Sequence, residues 1–209
     1  IYGDVGQKMK YYTIEPTLSE DETVTLQKVK RKLLSMSGHK ESPDDDAGYD
    51  DLIEELLEET TYVTDGDISF YDRVKQLWNF GKVKVDQNTY DSIRYRLNRD
   101  IVGFGPLEPI MRDDQNEDIH VIGAHETHVD HATFGMLPTT VDFGTSQEFD
   151  TWLKNMGERM GDPISDSNPI VDSTMPDGSR INIIYSEDVS LKGPSLTIRQ
   201  QDEVPLSIN

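Results

Sequence analysis

Apolar positions recur at three- and four-residue spacing through the first half of the chain. A helix is predicted after Ser19, carrying Val24, Leu26, Val29, Leu33 and Leu34, with Glu22 three residues past Ser19 as a capping box. Residues 37–49, SGHKESPDDDAGY, hold almost no apolar side chain and read as a flexible acidic linker. A second helix is predicted over Asp50 to Thr61, with Leu52, Ile53, Leu56 and Leu57 on one stripe. A third is expected around Tyr71 to Phe80, with Val74, Leu77 and Trp78, and a fourth over Gln87 to Asp100, with Tyr90, Ile93 and Leu97. These pieces read as a small helical bundle or arm.

The pattern changes at Gly103-Phe104-Gly105-Pro106, which breaks the last helix. Leu107 to Met111 reads as a helical turn, and Ile119, Val121 and Ile122 as a strand. Thr127 to Ala132 and Thr139 to Phe143 read as two further strands joined by a turn at Gly135. Ser146 to Gly161 is an amphipathic helix: Phe149, Trp152, Leu153, Met156 and Met160 form one apolar face, with Ser146 as N-cap and Gly161 as stop. Strands are expected at about 170–173, 180–185 and 195–199. The fold class is therefore α+β, with residues 1–103 a helical N-terminal portion and 104–209 a mainly antiparallel sheet packed with helices.

Composition narrows the setting. The 209 residues suit one or two domains. No apolar run has the length of a membrane span, and the opening IYGDVGQKMKYY lacks the apolar core of a signal peptide. The chain opens at Ile1 and not at Met, so a piece of a longer protein is expected. Without cysteine there is no disulfide, thiolate metal site or thiol nucleophile, which is compatible with a cytoplasmic protein. Asp and Glu number 40 against 20 Lys and Arg, a formal charge of −20. Such a surface repels nucleic acid and anionic lipid, and repels itself at ordinary salt. Concentrated salt would screen that repulsion, and the acid is spread along the chain, so a halophilic protein is expected.

Few constellations carry chemistry. His120, His125, His128 and His131 lie within twelve residues, but in a strand-and-turn context whose spacing matches no zinc signature, so no metal site is expected. Carboxylate pairs such as Asp113-Asp114 and Glu117-Asp118 do not stand out in so acidic a chain. The pattern Gly-x4-Gly-Lys-Ser/Thr is absent, and Gly103-Phe104-Gly105 does not continue into a dinucleotide fingerprint. Two arginines remain. Arg180 follows the turn Pro176-Asp177-Gly178, and Arg199 ends the strand Ser195 to Ile198. Convergent guanidinium groups would suit phosphate oxygens; alternatively each pairs with a carboxylate such as Asp172 or Asp177.

Three stretches carry a family resemblance. "GFGPLEPIMRDDQNEDIHV", "NPIVDSTMPDGSRINI" and "KGPSLTIRQ" occur in the order and separation found in type II/type IV secretion ATPases, and most resemble the archaeal branch that drives pili and archaella. The resemblance covers roughly Tyr90 to Asn209. It implies the N-terminal domain of a cytoplasmic hexameric motor working at the inner face of the membrane against a platform protein. ATP and Mg²⁺ would be bound by a following RecA-like domain, so this stretch alone is expected to be inactive, with no cofactor of its own and no catalytic residue. The resemblance also implies that Arg180 and Arg199 reach the nucleotide phosphates. Gln200 departs from the pattern, standing where many relatives carry another basic residue. The rival expectation is a non-catalytic interaction adaptor that never had a motor domain; a phosphate-loop signature encoded downstream would separate the two.

Overall fold

A computed structural model describes residues 9–37, 46–64, 81–185 and 193–201. The fold is α+β. Two compact units divide it: residues 15–104 form one, and residues 9–14 join 105–209 in the other.

The helical unit contains α1 (Glu20–Ser37), α2 (Asp46–Thr60) and α3 (Gln87–Ile101), with β1 (Thr61–Val63) and β2 (Val83–Val85) paired in parallel. Its core draws Leu26, Val29 and Leu33 from α1, Ile53, Leu56 and Leu57 from α2, and Ile93 and Leu97 from α3. The Ser19–Glu22 capping box forms: the Ser19 amide donates to Glu22 Oε2 at 2.7 Å and the Glu22 amide to Ser19 Oγ at 3.3 Å. Asp86 caps α3, accepting from the Thr89 amide at 2.8 Å. The second helix starts at Asp46 rather than Asp50, so the linker expected over 37–49 is helical in its last four residues. Residues 38–45, and the third helix expected around Tyr71 to Phe80, lie outside the described residues. Glu15 ties the entry segment to α3, accepting from Tyr95 Oη and from Arg99 Nη1 at 2.9 Å each.

The other unit is built on a six-stranded antiparallel sheet of order β5-β4-β3-β8-β7-β6. Its strands are β3 (Asn116–Ile122), β4 (Glu126–His131), β5 (Gly135–Pro138), β6 (Ile170–Thr174), β7 (Arg180–Ile184) and β8 (Ser195–Arg199). Alternation sorts the side chains cleanly. Ile119, Val121, Val129, Leu137, Val171, Ile181, Ile183, Leu196 and Ile198 are buried on one face. The short helix α4 (Glu108–Met111) and the longer α5 (Ser146–Arg159) complete the unit, with Phe149, Leu153 and Met156 of α5 buried.

In this unit two boundaries differ from expectation. The N-cap of α5 is Thr145, one residue before Ser146, because Glu148 stands three residues beyond Thr145 and closes the reciprocal box. The strand after β4 is Gly135–Pro138, not Thr139 to Phe143. Thr139 instead forms an isolated parallel bridge with Tyr11, whose amide donates to the Pro138 carbonyl and whose carbonyl accepts from the Thr140 amide. Past α5, the Gly161 amide donates to the Glu158 carbonyl and the Asp162 amide to the Gly157 carbonyl, a Schellman stop with Gly161 at φ +73°.

Candidate functional site

The DGS turn builds the site's near edge. Asp177 accepts from both the amide (3.1 Å) and hydroxyl (2.9 Å) of Ser179. Gly178 sits at φ +90°, and a Cβ there would come within 2.1 Å of Gln201 Oε1. The turn therefore delivers Arg180 to the first position of β7. At the far edge, Gln200 Nε2 donates to the Met111 carbonyl at 3.0 Å, fixing the end of β8 against α4.

Register brings the two arginines together. Arg180 and Arg199 are directly paired across β7 and β8, and Asp118 of β3 is directly paired with Arg199 on its other side. Asp130 follows on β4. One row across the open face thus reads Met136, Asp130, Asp118, Arg199, Arg180 and Thr174. Partners in such a row stand about 5 Å apart at Cβ.

The two guanidinium groups are held differently. Arg199 donates side-on to Asp118, Nε to Oδ1 at 2.9 Å and Nη2 to Oδ2 at 3.1 Å. These hydrogen bonds, then the carboxylate's charge, raise the arginine's pKa further. Arg180 reaches Asp172 through a single contact, Nη2 to Oδ1 at 3.4 Å. Of the two carboxylates expected as alternatives, Asp172 is a partner, whereas Asp177 is engaged by Ser179. Both arginine side chains remain about three-quarters exposed, at 73% and 75%, while Asp118 is only 20% exposed. A guanidinium has five N–H donors, and Asp118 occupies two of them. The rest of each fork is open to an anion.

The histidines do not converge. His120 and His128 face each other in the next row, with His120 Nδ1 3.2 Å from Thr197 Oγ1. His131 is buried on the opposite face against Phe134, and His125 lies in the β3–β4 turn, 3.1 Å from Asp142. Among the described residues no group of three or more His, Asp or Glu could hold a metal ion. Nor is any described helix long and apolar enough to cross a membrane.

No family model matches the chain. It is 45% identical over 211 residues to an uncharacterized protein of Methanocaldococcus jannaschii, covering 100% of this chain and 38% of that protein. A second uncharacterized protein of the same organism is 27% identical over 190 residues, covering 90% of this chain and 69% of its own length. The chain thus spans well under half of the first relative. Among solved structures it is similar to the VirB11 ATPase of the Brucella suis type IV secretion system in complex with sulphate. That match has 22% identity and a TM-score of 0.43, and covers 54% of this chain and 33% of the other.

Proposed function

We propose that this chain is the N-terminal region of an archaeal secretion or pilus-assembly ATPase, and that Arg180 and Arg199 contact the phosphates of ATP bound with Mg²⁺ by a motor domain elsewhere in the whole protein. The carrying observation is the direct cross-strand pairing of Arg180 with Arg199, both guanidinium groups exposed at the same end of the sheet. Like charges directly opposite destabilise a sheet, so an anion binding between them would gain from both. The sequence segments around these residues, "NPIVDSTMPDGSRINI" followed by "KGPSLTIRQ", supply the second line of support. Most of the first relative's length lies outside the matched stretch, which leaves room for a motor domain.

In this reading the sheet closes over the triphosphate and the arginines neutralise charge developing on the transferred phosphoryl group. The motion passes to neighbouring subunits of a hexamer and to a membrane platform protein, with the protein at the inner face of the membrane. The acid excess supports a salt-rich cytoplasm as the setting.

The test is ATP hydrolysis by the protein as encoded. Arg180→Ala and Arg199→Ala each lower turnover on the order of 10³-fold, as loss of an arginine finger does. Wild-type turnover by both variants rules the proposal out.

A further inference from the structure

Arg199 and Arg180 occupy equivalent register positions, yet only one of them is locked. The difference originates in the neighbouring strand. Asp118 lies directly opposite Arg199, so its carboxylate meets the guanidinium edge-on in a two-bond fork at 2.9 and 3.1 Å. Arg180 has Thr174 directly opposite and finds only the diagonal Asp172, through one contact at 3.4 Å between two exposed groups.

We infer that Asp118 is a positioning residue, one that fixes the plane of the Arg199 guanidinium so that its remaining donors are aimed before an anion arrives. The inference rests on the proposed contact of Arg199 with phosphate. Three features make Asp118 suited to the role. Its side chain is largely covered while that of Arg199 is exposed, so the anchor is the more confined partner. The fork uses Nε and Nη2, the side edge of the guanidinium, and leaves Nη1 directed away from Asp118. The backbone beneath is also pinned: the Gln200 amide donates to the Glu117 carbonyl at 3.0 Å, beside the Asp118–Arg199 pair.

A planar fork held by a bidentate carboxylate loses little rotamer freedom when it binds a second anion, which is the benefit of preorganisation. Arg180 lacks this hold and must be ordered by the ligand itself. The two arginines therefore divide the work: Arg199 presents a fixed edge, and Arg180 closes onto it. A competing role for Asp118 is easily distinguished. Were its carboxylate a plug that phosphate must displace, removing its charge would tighten nucleotide binding and raise activity.

The experiment compares Asp118→Asn, Arg199→Ala and the double variant in the whole encoded protein, following ATP hydrolysis and thermal melting. Asn keeps the size of Asp118 but carries an acceptor on only one terminal atom, so it cannot form the two-oxygen fork. The expected result is a kcat reduced on the order of 10²-fold, as a misplacement of about 1 Å produces, with KM for ATP changed much less. The double variant should be no slower than Arg199→Ala alone, because Asp118 acts only through that arginine. An Asp118→Asn protein that is as active as wild type or more active, or one whose defect multiplies with that of Arg199→Ala, overturns the positioning role while the phosphate contact stands. Should Arg199→Ala itself turn over at the wild-type rate, the contact falls, and Asp118 has nothing to position.

Discussion

Arg180 stands directly opposite Arg199 in the antiparallel pairing of β7 with β8, with Asp118 beyond Arg199 and Asp172 diagonal to Arg180. Two cations facing each other on a sheet weaken it, and an exposed 3.4 Å ion pair returns little. Arg180→Thr is therefore expected to leave the melting temperature unchanged or to raise it slightly, since Thr suits a strand. The same substitution should cut ATP hydrolysis by the encoded protein on the order of 10³-fold. Differential scanning calorimetry and a phosphate-release assay on one preparation check both. A fall of more than a few degrees would assign Arg180 a structural job instead.

The arginines were legible as candidates, and the locking carboxylate was not. Arg180 and Arg199 could be singled out because each begins or ends a strand whose alternation is visible in the sequence. Asp118 lies 81 residues from Arg199, and only the β3–β8 register brings them together. Among 25 aspartates nothing local marks it. Helices were read well where a long apolar stripe exists, as at Phe149, Leu153 and Met156. The N-cap error at Thr145 had a local remedy: counting back three residues from Glu148 identifies it. The three-residue strands Thr61–Val63 and Val83–Val85 were missed because three residues are too few to display alternation. The strand at Gly135–Pro138 was misplaced because Thr139 to Phe143, with Val141 and Phe143 buried, alternates equally well.

Salt should stabilise this protein more than an ordinary one. The formal charge of −20 gives mutual repulsion that reaches about 10 Å at 0.1 M salt and only about 3 Å at 1 M. The urea midpoint is expected to rise steadily with KCl up to molar concentrations, and to rise less with an equally concentrated neutral osmolyte. Equal effects of salt and osmolyte would mean that burial, not charge screening, is responsible.

Acid should loosen three helix starts together. The Thr145 amide and then its hydroxyl hold the Glu148 carboxyl below its ordinary range. Ser19 does the same for Glu22, and the Thr89 amide and hydroxyl for Asp86. A carboxyl depressed in the folded state contributes stability that is complete above its unfolded value, and that is lost as pH falls through the folded one. The loss thus begins below the ordinary values of 4.5 for glutamate and 3.8 for aspartate. Thr145→Ala should cost about 1 kcal/mol at neutral pH, and Glu148→Gln should flatten the acid limb of the urea-midpoint profile. An acid limb unchanged by both substitutions would move the origin of acid sensitivity away from the α5 cap.

Alkali should act most strongly through one tyrosine in each unit. Tyr11 Oη donates to Asp113 Oδ2 at 2.6 Å, and Tyr95 Oη to Glu15 Oε1 at 2.9 Å. Burial first, and then the hydrogen bond to a carboxylate, pushes each phenol up to about 12. In the unfolded chain both ionise near 10. A group whose pKa is raised by folding contributes stability that is fully present below the unfolded value and lost as pH climbs through the folded one. Stability should therefore fall between pH 10 and about 12, with a contribution from each unit. Tyr11→Phe and Tyr95→Phe should each cost about 1 kcal/mol at neutral pH through the lost hydrogen bond. Each should also remove its own share of the alkaline slope, so the doubly substituted protein shows the flattest profile. Urea denaturation at a series of pH values measures both effects, and a slope that the double substitution leaves unreduced would place the main alkaline-sensitive groups elsewhere.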